Sequence, residues 1–370
     1  MHVGTRVDVA IRGVRVEAPV RRAGGAGPSD DGHLILDGMG AAVPLDPRSP
    51  YSVRDGRLWL GETDTGLPVT PVRRPRFYDL TTADGVPYEK IAKLHGAGVL
   101  ATTVVQTCVR YAESDRCRFC AVEESLYAGA TVAAKTPAQL AEVAEAAVRL
   151  DGVTQMVMTT GTTNGPDRGA RVLARSVRAV LAAVPGLPVQ VQCEPPEDLA
   201  WLGELRAAGA AAIGIHVESL DEEVRRRWTP GKAAVPVARY EEAWAEAVRV
   251  FGRNRVSTYL LAGLGEDPDE LVDGAARLIR MGVYPVRGAV PADARHPGRA
   301  RGRRAGAAAR AGAPGHRARR GAAARGGHDR RRAGGGVRGL RGVQRARRGG
   351  RVSRCPRSTC RSSPDRRPAR

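Results

Sequence analysis

Short apolar runs alternate with longer segments of helical periodicity through the middle of this chain of 370 residues. The apolar runs predict strands at 100–106, 155–159, 189–192, 212–217 and 256–261, with a sixth beginning near residue 283. Apolar residues repeated every three or four positions predict helices at 137–149, 168–184, 198–208, 238–250 and 268–281. Alternating strands and helices are typical of parallel strands joined by right-handed crossovers. The sequence therefore predicts an α/β fold, a partial (β/α)6 barrel over residues 76–285.

A different pattern precedes this region. Residues 7–17 alternate between apolar and polar positions, which predicts a strand, and residues 33–36 predict another after a turn rich in Gly, Pro and Asp. Residues 51–60 predict a hairpin around Asp55 and Gly56. Residues 1–75 are thus expected to form a small β-rich domain, followed by a linker rich in Pro and Arg.

The charge of the chain is concentrated at its end. Residues 286–370 hold 26 of the 59 basic residues and 3 of the 39 acidic residues, so residues 1–285 carry a net charge of only −3. The segment has one Leu and no aromatic residue, Ile or Met, too few large apolar side chains to offset the entropy of ordering it. We predict that it is disordered. A basic tail that binds RNA is one interpretation, but aromatic side chains for base stacking are missing.

An out-of-frame translation of GC-rich DNA is the preferred interpretation of residues 286–370, because such frames are rich in Arg, Ala, Gly and Pro. Removing one base after the Pro285 codon permits codons for a continuing hydrophobic strand. In this interpretation Cys355 and Cys360 are accidental.

Three cysteines carry the clearest chemical signal. Cys108 follows the first predicted barrel strand, and Cys117 and Cys120 come after a gap of eight residues. A closed structural zinc site has four protein ligands, whereas three cysteines on an iron–sulfur cluster leave one iron open to a small molecule. A zinc knuckle completed by a distant ligand and three unrelated buried thiols are the alternatives.

The cysteines resemble the motif of the radical S-adenosylmethionine (SAM) superfamily, C-x3-C-x2-C with an aromatic residue before the third cysteine. Phe119 takes the aromatic position here, while the first gap is eight residues long instead of three. The wide gap, the residues before the motif and the Glu-Ser and Pro-Gly-Lys sequences at 218–219 and 230–232 resemble the group encoded beside nitrilases in bacterial gene clusters. Biotin synthase is a more distant likeness.

This resemblance implies a [4Fe-4S] cluster held by Cys108, Cys117 and Cys120, and a 5′-deoxyadenosyl radical that abstracts hydrogen from a small-molecule substrate. It also implies SAM contacts at the carboxyl ends of the strands. The residues implied are Phe119, Thr160, Gly161, Thr162, Glu194, Glu218, Gly263 and Glu266. A turn built for backbone geometry is the alternative for Thr160 to Thr162. Cys193 is interpreted as filling a small buried space, and His216 as a strand residue whose imidazole is hydrogen-bonded.

The implied partners are the substrate, an electron donor of the flavodoxin or ferredoxin type, and proteins of the nitrilase cluster. No nucleic acid is expected for residues 1–285. No apolar run reaches the roughly 20 residues that span a membrane, and a signal-peptide core is missing at the N-terminus, so a cytoplasmic enzyme is expected. A non-catalytic iron–sulfur or zinc protein is the alternative class.

Overall fold

The computed structural model describes residues 3–16, 34–41, 43, 46–71, 74–96 and 98–289. The chain divides into two units, residues 1–312 and 313–370, and every described residue belongs to the first. The predicted tail beyond residue 289 lies outside the described residues. Among those described, no helix combines the length and apolar character needed to cross a bilayer.

The chain begins with helix α1 (Val3–Arg12) and a five-stranded antiparallel sheet. Its order is β2-β1-β5-β4-β3, from strands β1 (Leu34–Leu36), β2 (Met39–Ala41), β3 (Tyr51–Arg54), β4 (Arg57–Leu60) and β5 (Thr63–Pro71). The predicted hairpin is confirmed, since Asp55 and Gly56 turn β3 into β4 with positive φ angles. The predicted strand at 7–17 is wrong for residues 7–12, which form the end of helix α1. Arg15 forms an isolated parallel bridge to Ser52 of β3, and residue 17 lies outside the described residues.

Seven strands form the second sheet, in the order β12-β11-β10-β9-β8-β7-β6. The strands from β7 to β12 pair in parallel with their sequence neighbours, and β6 adds an antiparallel edge that the sequence did not predict. They are β6 (Lys93–His95), β7 (Val99–Thr103), β8 (Gln155–Thr159), β9 (Val189–Gln192), β10 (Ala212–Gly214), β11 (Val256–Ala262) and β12 (Val283–Ala289). This is the strand sequence of a partial barrel, open between β6 and β12 in the described part of the chain.

Helices connect these strands where they were predicted. The long ones are α3 (Pro137–Asp151), α4 (Ala170–Ala183), α5 (Ala200–Ala207), α8 (Val237–Phe251) and α9 (Pro268–Met281). Helix α3 begins at a reciprocal cap between Thr136 and Gln139 and ends at Gly152, whose φ is +66°. Short helices α2 (Glu124–Tyr127), α6 (Glu222–Trp228) and α7 (Pro230–Ala233) were not predicted, and α6 and α7 prove to border the candidate site.

The two faces of the parallel sheet differ in chemistry. Met156, Val191 and Ile213 point toward the helices and are fully buried in the main apolar core. The opposite face carries alternate residues such as Gln155, Gln190 and Gln192, which remain partly or largely exposed. The period of two along each strand thus separates a packed outer layer from an inner surface that mixes polar residues with apolar ones such as Val157 and Leu261.

Strand β12 corrects the predicted start of the tail. The sequence analysis ended the barrel at residue 285, but β12 pairs with β11 over its whole length, with Val286 beside Tyr259 and Ala289 beside Ala262. Backbone pairing does not require large side chains. Because the sequence beyond Pro285 has few apolar residues, the sequence analysis did not predict that residues 286–289 belong to the strand.

Candidate functional site

The segment that follows β7, residues 104–123, contains all three cysteines and is called the cysteine loop here. Cys108, Cys117 and Cys120 are free thiols of intermediate exposure. The Cys120 amide donates to the Cys117 carbonyl at 3.0 Å, which forms a tight turn around Arg118 and Phe119. Because β7 is parallel to β8–β12, the loop lies at the edge where the carboxyl ends of these strands meet.

Gly161 brings the loop after β8 into direct contact with the cysteine loop. Its amide donates to the Val105 carbonyl at 2.8 Å, and the Val109 amide donates to the Thr162 carbonyl at 2.9 Å. A Cβ atom on Gly161 would lie only 2.1 Å from the carbonyl oxygen of Thr107, the residue before Cys108. Only glycine permits this approach of two backbones.

An ion pair joins the cysteine loop to the end of β9. The Arg110 Nε lies 3.0 Å from both carboxylate oxygens of Glu194, and the Arg110 Nη2 lies 3.0 Å from Glu194 Oε2. Thr162 Oγ1 donates to Glu194 Oε1 at 2.9 Å, and Arg110 Nη1 donates to the Gly231 carbonyl. Glu194 is 5% exposed through its side chain, so its charge is compensated within the protein.

The cysteine loop also contacts residues 228–232, which include the end of α6 and the start of α7. The Arg118 amide donates to the Trp228 carbonyl at 2.8 Å, and the Gly231 amide donates to the Asp115 carbonyl at 2.8 Å. A Cβ atom on Gly231 would lie 2.6 Å from the Asp115 carbonyl oxygen. The eight residues between Cys108 and Cys117 are therefore docked against a defined surface.

Lys135 holds the far end of the cysteine loop. Its ammonium donates to the Thr103 carbonyl at 2.7 Å, to Gln106 Oε1 at 2.8 Å and to Thr131 Oγ1 at 2.7 Å. Gln106 in turn donates to the Val122 carbonyl at 2.7 Å. Burial lowers the pKa of Lys135 to about 7, while the surrounding oxygens favour the charged ammonium.

Lys232 and Glu218 form a second buried pair next to Cys117. Lys232 Nζ donates to Glu218 Oε1 at 2.8 Å and to the His216 carbonyl at 3.1 Å. Burial acts to lower the pKa of Lys232, but the Glu218 carboxylate raises it well above its ordinary value. Glu218 has a φ of +70°, a conformation that costs a non-glycine residue roughly 1–3 kcal/mol. Such strain at the end of a parallel strand is typical of a functional position.

The turn after β11 is built around Glu266. Its carboxylate accepts hydrogen bonds from the Gly263 amide and, at 2.7 Å, from the Leu264 amide. The Trp228 indole donates to the Leu264 carbonyl at 2.7 Å, and Phe119 packs against the buried cluster of Val224, Trp228 and Leu264. Glu266 thus shapes the turn, and Phe119 lies against the protein core.

The structure brings part of the predicted SAM set together. Thr162 and Glu194 share a hydrogen bond, and both approach the cysteine loop, as does Gly161. Thr160 instead donates to the Gly161 carbonyl at 2.8 Å. Arg110 and Lys232, which hold Glu194 and Glu218, were not singled out by the sequence analysis. The partner of Arg110 lies 84 residues away, so no local signal could identify the pair.

The cysteines match an iron–sulfur cluster in the type and number of their donors. Burial raises the pKa of Cys117 to about 12 against the lowering effect of Lys232, and burial and neighbouring Cys108 raise the pKa of Cys120. A zinc knuckle needs four side chains around one ion. Among the described residues, no three His, Cys, Asp or Glu side chains are grouped as one ion requires.

This chain is similar to one protein family and to one curated relative. The sequence model of the radical SAM superfamily matches residues 113–279, which include Cys117 and Cys120. Lipoyl synthase from Thermus thermophilus is 32% identical over 171 residues, which cover 45% of this chain and 50% of the relative. The chain therefore spans about half the length of the curated relative it matches.

Two solved structures are also similar to this chain. Methylornithine synthase (PylB) is 17% identical with a TM-score of 0.40, covering 52% of this chain and 53% of that one. The FeFe-hydrogenase maturase HydG from Carboxydothermus hydrogenoformans is 18% identical with a TM-score of 0.37, covering 51% of this chain and 44% of that one.

The superfamily and lipoyl synthase matches support membership of the radical SAM superfamily. That superfamily implies a [4Fe-4S] cluster and S-adenosylmethionine as cofactors, with cleavage of SAM as the shared chemistry. Cys108 lies outside the matched range.

Proposed function

We propose that this chain is a radical SAM enzyme whose cluster is held by Cys108, Cys117 and Cys120 and which abstracts hydrogen from a small-molecule substrate. The observation that carries this proposal is the docking of all three cysteines on one loop at the carboxyl edge of the parallel sheet. When bound, the cluster supplies the electron that cleaves SAM to methionine and a 5′-deoxyadenosyl radical. The protein orients SAM and the substrate and excludes water from the reaction.

Each ion pair has a defined part in this proposal. Arg110 and Glu194 hold the cysteine loop against β8 and β9 and are positioning residues. Lys232 and Glu218 present an ammonium and a carboxylate beside Cys117, opposite charges that complement the amino-acid end of SAM. Glu266 and Gly263 shape the turn at the end of β11, where the adenine is expected together with Phe119.

The remaining partners follow from the reaction class. An external donor of the flavodoxin or ferredoxin type would provide the electron. The spacing of Cys108 and Cys117 and the turn at 230–232 support a relation to the radical SAM group encoded beside nitrilases, whose proteins are proposed partners. Sequencing the genes next to this one tests that relation, and a neighbourhood without a nitrilase would contradict it.

Anaerobic reconstitution tests the metal assignment. The wild-type chain should bind about four irons and acquire the broad visible absorbance of an iron–sulfur cluster. Changing Cys108, Cys117 or Cys120 to Ala should abolish that absorbance, whereas Cys193→Ala, a buried thiol at the end of β9, should retain it. Iron retained by the triple variant would show that these cysteines are not the ligands.

SAM cleavage separates the enzyme from a non-catalytic metal protein. With a reductant, the reconstituted chain should slowly form 5′-deoxyadenosine and methionine even without its substrate. A protein that holds the cluster but has no measurable affinity for SAM would instead belong to the non-catalytic alternative.

A further inference from the structure

The residues that follow Cys120 bind the residues around Cys108. Residues 122–124 each accept one hydrogen bond from the segment 106–111. The three bonds run from the Gln106 side-chain amide to the Val122 carbonyl at 2.7 Å, from the Cys108 backbone amide to Glu123 Oε1 at 3.1 Å, and from the Tyr111 hydroxyl to Glu124 Oε1 at 3.2 Å. Cys108 is therefore joined to the segment after Cys120 by contacts that bypass the residues between the two cysteines.

Backbone pairing closes the base of the cysteine loop below these contacts. Residues 104–106 pair with residues 133–135. The bonds run from the Gln106 amide to the Ala133 carbonyl at 2.8 Å and from the Lys135 amide to the Val104 carbonyl at 2.9 Å. Cys108 is the second residue beyond this paired base, so its own position depends on contacts farther along the loop.

Contacts next to Cys108 fix the loop relative to the barrel. The Val109 amide donates to a carbonyl of the loop after β8 at 2.9 Å, and the Arg110 side chain pairs with Glu194 of β9 at 3.0 Å. These contacts hold the loop against β8 and β9. The position of Cys108 relative to the other two cysteines is a separate matter, and it depends on the segment that carries them.

The chain between Cys108 and Cys117 does not run directly from one to the other. The Asp115 and Arg116 amides both donate to the Ala112 carbonyl at 2.9 Å, which forms a bend, and residues 112–115 are exposed. Eight residues separate the two cysteines along this path. The contact of Cys108 with Glu123, which lies three positions after Cys120, is the shorter connection.

Glu123 is itself held close to Cys117 and Cys120 by local turns. The Cys120 amide donates to the Cys117 carbonyl at 3.0 Å. The Glu124 amide donates to the Ala121 carbonyl at 3.1 Å, so a second turn follows the first. Glu123 then precedes α2 as its N-cap residue. A side chain fixed relative to two cysteines thus contacts the backbone of the third.

The bond between Glu123 and Cys108 joins an amide to a carboxylate. Such a bond is stronger than one to a neutral acceptor. The other carboxylate oxygen, Oε2, accepts a longer hydrogen bond of 3.4 Å from the hydroxyl of Tyr127, a side chain that is 75% exposed. The Cys108 amide is therefore the closer of the two donors to this carboxylate in the described part of the chain.

We propose that Glu123 is a positioning residue for Cys108: its carboxylate holds the Cys108 backbone, and with it the thiolate, in place relative to Cys117 and Cys120. The proposal rests on the proposed function, because it takes Cys108 to be a ligand of the cluster. Groups that orient the ligands of a metal ordinarily contribute a factor of about 10 to 100 to its affinity. The same order of effect is expected for Glu123.

The rate at which the chain loses its cluster to EDTA tests this role. Wild type, Glu123→Leu and Glu123→Gln full chains are reconstituted anaerobically, and the decay of the visible absorbance is followed after EDTA is added. We expect Glu123→Leu to lose the cluster at least roughly tenfold faster than wild type, because Leu accepts no hydrogen bond from the Cys108 amide. Glu123→Gln keeps an acceptor oxygen and should stay within roughly threefold of wild type.

Glu270→Leu is the matched control. Glu270 is exposed in the first turn of α9, and its carboxylate accepts no hydrogen bond from the described residues. The control loses the same charge and gains the same apolar side chain, so it should lose the cluster at the wild-type rate. Urea unfolding of the iron-free chains shows whether each variant is folded, and Glu123→Leu should unfold cooperatively like wild type.

Any of three results overturns the proposal. The first is a Glu123→Leu chain that loses its cluster no faster than the control, and the second is a Glu123→Gln chain that loses it as fast as Glu123→Leu. The third is an iron-free Glu123→Leu chain that is unfolded, which would assign Glu123 to the fold as a whole.

These results are separable from the proposed function. If Cys108→Ala keeps its cluster, Cys108 is not a ligand, and the ligand set of the proposed function is wrong whatever the Glu123 variants do. If Cys108→Ala loses the cluster while Glu123→Leu keeps it, only the positioning role of Glu123 is contradicted.

Discussion

Arg110 and Glu194 are 84 residues apart in the chain, yet Arg110 Nε lies 3.0 Å from both carboxylate oxygens of Glu194. The pair links the segment between Cys108 and Cys117 to β9, and Thr162 extends it to the end of β8. Its position explains how a gap of eight residues can still hold cysteines in a fixed place, since the loop is anchored close to Cys108.

We predict that this pair contributes to both stability and cluster content. Arg110→Met or Glu194→Gln leaves the other charge buried without its partner and should lower the free energy of unfolding by roughly 3–5 kcal/mol. Urea unfolding of both single variants and the double variant should give a coupling energy of about 1–3 kcal/mol. Iron content after reconstitution should fall in the same variants.

Arg178 and Glu204 provide the control pair. They lie 3.5 Å apart on the surface, with side chains 52% and 58% exposed, so their coupling should stay below about 1 kcal/mol. Equal coupling energies in the two pairs would contradict an anchoring role for Arg110.

Gly161→Ala should displace the cysteine loop. The added Cβ would lie 2.1 Å from the Thr107 carbonyl oxygen, a contact that only backbone movement can relieve. We expect a loss of several kcal/mol, at least about 2, together with reduced iron binding. Gly203→Ala in α5 is the control, because nothing lies within 4 Å of its Cβ position, and it should be neutral or stabilising by up to about 1 kcal/mol. Full iron content in Gly161→Ala would show that the loop tolerates the shift.

The strands and helices of the barrel were predicted with nearly correct bounds because each has its own periodicity of apolar residues. Strand β8 and helix α9 have the predicted bounds, since apolar spacing and a cap such as Asp267 are local signals. Helix α1 was missed because Val7, Val9 and Ile11 fit an alternating strand as well as a helix. The cysteines were also identifiable from spacing. The bonds of Arg110 and Lys232 depend on tertiary approach, which local patterns do not encode.

The stability contributed by Lys135 should depend on pH. Burial lowers its pKa to about 7 in the folded chain, and the unfolded chain has a pKa of about 10.4. Between these values the unfolded chain binds the extra proton, so stability should rise with pH relative to Lys135→Met, by up to about 1.4 kcal/mol per pH unit. Urea unfolding of both proteins at pH values of about 6.5, 8 and 9.5, which start below this window and extend into it, measures the difference. The opposite result is a difference in unfolding free energy between the two proteins that is the same at all three pH values. That result would mean that hydrogen bonds to the ammonium offset the effect of burial on the pKa of Lys135.

Variants of the Lys232–Glu218 pair can distinguish a role in folding from a role in binding SAM. Glu218→Gln leaves the buried ammonium without its carboxylate and should lower the free energy of unfolding by about 3–5 kcal/mol, whereas Glu218→Gln combined with Lys232→Met should regain most of that loss. If the two charges bind SAM, the stable double variant should still bind SAM at least roughly tenfold more weakly, because it retains neither charge. Calorimetric titration of SAM into the reconstituted protein measures this, with iron content as the check that the cluster is present. A double variant that is stable, holds iron and binds SAM with wild-type affinity would assign the pair to folding alone and remove Glu218 from the SAM site.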